Sequence, residues 1–159
     1  MTTKVGFIEA ASHALQNGPQ LFARVEDGGV VIGGGGGEVV PDSTGLYAVV
    51  AQDPDAVRAE LRLDTSVSRS DVLYIGKAEG SLRARLERKH FAGGGTAHST
   101  LRRTLAALLV DRLDLEPVAV ASAGRFTLTP ESGEQLTTWM RRHLAVRVWQ
   151  TPAGFAEVT

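Results

Sequence analysis

The stretch DVLYIGKAEGSLRARLERKHF, residues 71–91, reads as a strand, a glycine turn and a basic helix in direct succession. Its first part is rich in β-branched and aromatic side chains, as strands are. Gly76 then allows a tight turn and the close approach of another group. Ser81 is placed to cap the helix that follows, with Leu82 and Leu86 on one face. The segment therefore predicts a strand-to-helix corner that carries a phenol, an ammonium and several guanidinium groups.

Basic residues are concentrated around this corner. The formal net charge of the 159-residue chain is −1, but residues 77–103 hold seven Lys and Arg against Glu79 and Glu87, a local net of +5. The rest of the chain therefore carries −6. An anionic partner would be drawn to this segment first. The alternative is that these side chains only form the solvated faces of two helices.

Length and composition bound the class of protein. A chain of 159 residues is expected to form one domain with a core large enough to be stable without cross-links. It has no cysteine, which excludes disulfides and cysteine-based zinc sites. The opening MTTKVGFIEA lacks the pattern of a signal peptide, and no run approaches the roughly 18 apolar residues of a membrane span. We therefore expect a cytoplasmic protein without a membrane partner.

Periodicity and turn residues predict short strands and helices along the chain. The predicted order is a helix at 5–16, a hairpin within 21–40, a strand at 45–51, a helix at 53–63, a strand at 71–76, a helix at 81–90, a helix from Ser99 with a stripe of Leu101, Leu105, Leu108, Leu109 and Leu113, a third strand at 125–129, a helix at 130–144 and room for a final short strand at 145–151. This order predicts an α+β fold with a small, mostly antiparallel three-stranded central sheet flanked by helices.

The predicted elements divide the chain into three parts. Residues 1–44 form an N-terminal extension, with a Gly-rich connector that packs on the same domain; residues 45–150 form the main domain, and 151–159 a tail. The five glycines 33–37 lack the Lys-Ser or Lys-Thr of a phosphate loop, and no helix pattern follows them. No nucleotide cofactor is therefore expected. A small-molecule binder that uses this run is a weak alternative.

The side chains at the corner suit a phosphodiester. Tyr74, Lys77 and Arg85 supply a phenol, an ammonium and a fork-shaped anion binder near one strand end. The transition state of phosphodiester hydrolysis spreads negative charge over oxygens that Arg binds in two places. The structural alternative makes Tyr74 a core residue and Arg85 a surface side chain with a buried stem.

Two triplets extend this interpretation to a family. GLY at 45–47 and YIG at 74–76, followed by KA, LRARL and HF, resemble the GIY-YIG nuclease family. The resemblance is close over 45–91 and holds for the rest only in outline. It implies a catalytic set of Tyr47, Tyr74, Lys77, Arg85 and His90. It also directs attention to phosphate-binding candidates nearby, namely Gly76, Arg88, Lys89, His98 and Arg102.

His98 is a phosphate-binding candidate because it stands between a Gly-rich loop and a helix start. Free N–H groups at such a start bind anions well. Ser99 would contribute there, although a helix cap explains Ser99 without any ligand.

The resemblance implies metal-dependent hydrolysis of nucleic acid, with DNA expected more than RNA and with Mg²⁺ or Mn²⁺ as cofactor. A tyrosine phenolate or a nearby base would activate water, and Arg85 would neutralise the charge that develops on the phosphate. A phenol is a poor base near neutral pH because its ordinary pKa is about 10. Lys77 and the metal would therefore have to lower that pKa or share the work.

Two departures from the family pattern concern spacing. Tyr47 and Tyr74 are 27 positions apart, with the helix-like segment 53–63 between them, whereas the family joins its triplets by a short hairpin. An insertion at a hairpin end is tolerated if it packs outside the sheet, because loop entropy grows slowly with length. Arg85 also comes one residue late after Tyr74, a shift that can be absorbed before the helix starts.

The third departure concerns the metal ligand. The family places a Glu a turn before an apolar pair on the helix after the third strand. If Trp139 and Met140 are that pair, the inward position is Leu136. Glu134 is the remaining candidate for the metal ligand, ahead of Glu131, although a first-turn acid is also explained by the helix dipole. If the ligand is missing, the chain is a catalytically degenerate module that binds nucleic acid.

Overall fold

A computed structural model describes residues 21–26, 29–33, 40–64, 71–92, 96–121 and 125–150, the first two ranges as backbone. The predicted helix at 5–16, residues 34–37 of the glycine run and the tail 151–159 lie outside these ranges. The α+β class is confirmed: helices flank an antiparallel sheet. None of the helices in the described part of the chain is both long and apolar enough to cross a membrane.

Eleven elements make up the described fold. In chain order they are β1 (Leu21–Glu26), β2 (Gly29–Gly33), β3 (Gly45–Ala51), α1 (Pro54–Leu61), β4 (Val72–Ala78), α2 (Ala84–His90), α3 (Thr100–Leu109), β5 (Pro117–Ala119), β6 (Phe126–Leu128), α4 (Pro130–His143) and β7 (Leu144–Gln150).

The main sheet has five strands in the order β2, β1, β7, β3, β4, and every neighbouring pair is antiparallel. The predicted three-stranded centre corresponds to β7, β3 and β4, and the β1–β2 hairpin extends it. The strand predicted at 125–129 is present as β6, but it is not the third strand of the central sheet, since it pairs with β5 in a separate two-stranded sheet. A three-residue strand cannot match the length of β3, whereas the seven residues of β7 pair along all of it.

All four helices contribute to one hydrophobic core on one face of the main sheet. Tyr47 and Val49 of β3 and Val146 and Val148 of β7 face that core, which also takes apolar residues from each helix. The helix residues are Val57, Leu61, Leu86, Leu101, Leu105, Leu109, Leu136 and Met140. The predicted stripe of α3 is corrected at Leu108, which is 41% exposed.

Helix α1 accounts for the long spacing between the two triplets. Asp53 caps it by accepting from the Ala56 N–H at 3.1 Å, and Pro54 occupies the first turn, where its missing N–H costs nothing. The Trp139 indole N–H on α4 donates to Glu60 of α1 at 2.6 Å. The insertion is therefore packed against the helical layer, at the end of the β3–β4 hairpin away from Tyr47.

Candidate active site

The pairing of β3 with β4 brings the two triplets together. Tyr47 lies opposite Gly76, and Val49 lies opposite Tyr74. Because side chains alternate along a strand, Tyr47 and Tyr74 project from the same face. Their ring centroids are 6.1 Å apart. The register thus places both tyrosines beside the helical layer.

Gly76 provides the space that the Tyr47 ring occupies. A Cβ at position 76 would overlap the Tyr47 phenol and lie 2.9 Å from its Cε1 atom. Both residues are buried, so the ring cannot move into solvent. The glycine of the second triplet is therefore required for packing against the tyrosine of the first.

We expect Gly76→Ala to destabilise the fold by about 1–3 kcal/mol, because the extra methyl overpacks a filled site. Urea unfolding of the variant and of the wild type measures the difference. Gly80→Ala is the matched control, since a Cβ there meets no atom within 4 Å. Equal stability of Gly76→Ala and wild type would contradict this packing.

Helix α2 is a π-helix, which explains how Arg85 and His90 reach the same site. The two residues are five positions apart, which in an α-helix would turn them about 140° away from each other. In a π-helix each carbonyl bonds to the N–H five residues on, so residues five apart lie much closer to one face than they do in an α-helix. The Phe91 N–H donates to the Leu86 carbonyl at 2.9 Å in this pattern. Arg85 and His90 therefore both face Tyr47.

A buried chain of hydrogen bonds joins β3, α2 and the start of α3. Tyr47 Oη lies 2.6 Å from His90 Nε2, and His90 Nδ1 lies 2.7 Å from Ser99 Oγ. All three side chains are buried. The Tyr74 ring packs edge-on against the imidazole, with centroids 5.9 Å apart. His90 is thereby fixed through both ring nitrogens.

Arg85 joins this chain to the protein surface. Its hydrogen bond to Tyr47 raises the pKa of the guanidinium, so Arg85 is a permanent cation. Burial raises the pKa of Tyr47 to about 12, although the Arg85 hydrogen bond acts in the opposite direction. The Arg85 side chain is half-buried, and its Nε–H has no acceptor in the described part of the chain. That nitrogen is shielded from solvent, so an anion would reach the guanidinium through its other nitrogens.

His90 is neutral in the folded protein. Burial, followed by the charges of Arg85, Arg102 and Lys89, lowers the pKa of its imidazole to about 4. A neutral imidazole has one N–H and one lone pair. His90 therefore donates at one nitrogen and accepts at the other.

The low pKa of His90 predicts a loss of stability in acid. Between its ordinary value of 6.5 and about 4, the unfolded chain binds a proton at His90 and the folded chain does not. Stability therefore falls as the pH falls through this window, by about 3 kcal/mol in total. Urea unfolding at pH 7 and pH 4.5 should show a smaller difference for His90→Gln than for the wild type. His98→Gln, which replaces an exposed His, is the control and should show the same stability difference between the two pH values as the wild type. If His90→Gln also shows a difference as large as that of the wild type, His90 is not the group responsible.

An open groove of about 390 Å³ runs between the end of β4 and the first turn of α2. Three cations line it, namely Lys77, Arg85 and Lys89, together with Glu79 and small residues of the turn. The Lys77 ammonium lies 2.5 Å from the Glu79 carboxylate at the exposed rim. Arg88 and His98 are exposed but do not line this groove. The structure thus joins the predicted catalytic residues to a cationic surface.

A comparison with known families decides which family this is. The family model described as GIY-YIG catalytic domain matches residues 45–153, more than half of the chain. This chain belongs to the GIY-YIG family. Searches of curated proteins and of solved structures found no match. The family is one of endonucleases, and the fold is accordingly of a nuclease type.

Arg102 has a different position from the one predicted for a phosphate binder. It is buried, and Nη1 donates to the His90 carbonyl at 3.1 Å and to Thr137 Oγ1 at 2.9 Å. Nη2 donates to the Gly133 carbonyl at 3.1 Å. Burial lowers the pKa of this guanidinium to about 10. In this GIY-YIG domain Arg102 therefore ties α2, α3 and α4 together behind the site.

The described side chains do not by themselves fit a divalent cation beside Tyr47 and Arg85. Within the described ranges, no three His, Asp or Glu side chains converge. Leu136, at the inward position of α4, lies in the core. Glu79 is the carboxylate among the groove-lining residues, and the Lys77 ammonium neutralises it. We therefore assign no step of a reaction to a metal.

Glu134, the predicted metal ligand of this GIY-YIG domain, is exposed on α4, as is Glu131. Both line a second cavity of about 420 Å³ together with Trp139 and His143, and neither lines the groove of Arg85. Glu134 is near enough to Arg102 to raise the pKa of Arg102 against the effect of burial. Its role as a ligand stays a prediction.

Proposed function

We propose that this protein is an endonuclease that hydrolyses phosphodiester bonds of nucleic acid in the groove between β4 and α2. The observation that supports this most is the contact of Tyr47 with His90 and Arg85 beside that groove. The preference for DNA over RNA and the cytoplasmic location come from the sequence and its family resemblance, and they belong to the same proposal.

The proposed chemistry places one phosphate against Arg85. Its guanidinium binds two phosphate oxygens and neutralises the charge that grows on them in the transition state. Lys89 supplies further positive charge along the groove, and Lys77 exchanges its exposed pairing with Glu79 for a neighbouring phosphate of the strand.

Tyr47 prepares the attacking water. Because Tyr47 is buried, water has to reach its oxygen from the groove past Arg85. Once the phenol has given its proton to a first water there, the phenolate takes a proton from the attacking water, and the oxygen of that water forms a bond to phosphorus. The bond from phosphorus to the leaving oxygen breaks, and that oxygen takes a proton from solvent. With a pKa of about 12, the phenolate is scarce at neutral pH, so we expect cleavage to speed up as the pH rises towards 10.

Mg²⁺ or Mn²⁺ remains the proposed cofactor because the resemblance implies it, with Glu134 as the proposed ligand. The test is cleavage of end-labelled single-stranded DNA, duplex DNA and RNA by the purified chain with each metal or with EDTA. Glu134→Gln is compared with Glu131→Gln, a neighbouring exposed acid on the same helix. Loss of metal-dependent cutting in Glu134→Gln alone supports the ligand; equal cutting by both variants refutes it.

A second candidate function is nucleic-acid binding without turnover. The observation that favours it is the pairing of Glu79, the groove's carboxylate within the described ranges, with Lys77. Such a site would hold phosphates but lack a metal ligand. Binding of the labelled substrates without cutting, with every metal tested, would establish this function and overturn the endonuclease.

A further inference from the structure

Ser99 has two hydrogen-bonding neighbours at its hydroxyl, and they have different chemistry. The Arg102 backbone N–H donates to Ser99 Oγ at 3.1 Å, which is the usual contact of a helix cap. His90 Nδ1 is the other neighbour, at 2.7 Å. An N–H cannot accept, so of these two described neighbours only Nδ1 can take the Ser99 hydroxyl proton.

Donors and acceptors can be assigned in the same way at the other nitrogen of the imidazole. If Nδ1 accepts from Ser99, the proton of the neutral ring is on Nε2, which points at Tyr47 Oη at 2.6 Å. Arg85 is a second hydrogen-bond donor to that oxygen, and the phenol proton of Tyr47 then goes to the Tyr74 hydroxyl, its remaining hydrogen-bonding neighbour. The opposite arrangement, with the proton on Nδ1, leaves the buried Ser99 hydroxyl without an acceptor among its described neighbours, and such a loss costs free energy.

We propose that Ser99 is a positioning residue that fixes the His90 tautomer with the proton on Nε2, so that His90 donates to Tyr47. Two donors, His90 and Arg85, then converge on the Tyr47 oxygen and stabilise it when it loses its proton. The catalytic consequence rests on the proposed endonuclease function. The tautomer itself does not.

The surroundings of His90 agree with a neutral ring that donates at Nε2. Tyr74 faces it from β4, Arg85 and Lys89 lie near it on α2, and Arg102 lies near it on α3. The charges that act on His90 are all positive, and they oppose a second proton on the ring. The ring is therefore a poor base, and its value to Tyr47 is as a donor.

Two substitutions separate the hydroxyl proton from the helix cap. Ser99→Thr keeps a hydroxyl that both caps and donates, while Ser99→Asp keeps a good cap but can only accept. Both variants therefore preserve the helix cap at position 99. We expect the Asp variant to move the proton to Nδ1, to raise the pKa of His90 and to lower kcat on the order of 100-fold with little change in KM. The Thr variant should retain kcat within a few-fold.

Nitrogen NMR of ¹⁵N-histidine-labelled protein reads the tautomer directly and needs no substrate. We expect an unprotonated Nδ1 in the wild type and in Ser99→Thr, and a protonated Nδ1 in Ser99→Asp. A protonated Nδ1 in the wild type, or full kcat in Ser99→Asp, would overturn the proposal. If the tautomers agree with the proposal but no nucleic acid is cut, the endonuclease function fails and the role of Ser99 stands.

Discussion

Arg85→Ala should reduce kcat for nucleic-acid cleavage about 1,000-fold, the cost of removing a cation aimed at transition-state charge. Arg85 is a permanent cation that lines the groove and also donates to Tyr47. Its loss therefore removes the proposed phosphate contact and one of the two donors on the phenol oxygen. Single-turnover cleavage of a labelled substrate measures the effect, with unfolding curves to show that the variant is folded.

Arg112→Ala is the matched control for the loss of one positive charge. Arg112 lies away from the groove, where it pairs with Glu60 at 3.2 Å and is more than half exposed. We expect its kcat to equal that of the wild type. Cleavage by Arg85→Ala within tenfold of the wild type would show that the phosphate is held elsewhere.

Tyr47→Phe should lower kcat by about 100- to 1,000-fold, because it removes the group that takes the proton from water. The ring still fills the space over Gly76, so the fold is retained. His90 Nε2 loses its 2.6 Å partner, and a buried polar group without a partner costs about 1–3 kcal/mol of stability.

Tyr74→Phe provides the comparison for Tyr47→Phe on the neighbouring strand. Tyr74 is only partly buried, and its ring contacts Tyr47 and His90. Cleavage time courses give kcat of both variants, and thermal unfolding gives their stability. If Tyr47→Phe cuts as fast as the wild type at the same pH, Tyr47 does not take the proton from water.

The strands that carry the triplets could be predicted from sequence because their side-chain pattern and their glycines are local signals. Gly76 opposite Tyr47 follows from pairing two adjacent triplets in antiparallel register. The third central strand could not be chosen in the same way. Residues 126–128 and 144–150 both have strand character, and only the length of β3 available for pairing distinguishes them.

The second layer of the site depends on tertiary contacts that the sequence does not display. The π-helical form of α2 sets Arg85 and His90 on one face, although their spacing of five is unfavourable in an α-helix. Ser99 is recognisable as a helix cap, but its contact with His90 depends on how α2 and α3 pack. Neither feature has a local sequence signal.

The sequence around Arg102 does indicate that this side chain is buried. It lies between Leu101 and Leu105, with Ala106 four positions later on the same face. All four residues are buried in the structure. An arginine on the apolar face of a helix is more consistent with an internal tie than with a surface phosphate contact.

The most direct test of the central claim is where a nucleic-acid strand binds. A short single-stranded DNA is titrated into ¹⁵N-labelled protein in EDTA, and backbone and arginine side-chain signals are followed by NMR. We predict the largest shifts in residues 77–81 and 84–90, including the Arg85 Nε–H signal. Shifts confined to the cavity of Glu131, Glu134 and Trp139, with the groove of Lys77, Arg85 and Lys89 unaffected at saturation, would contradict the account.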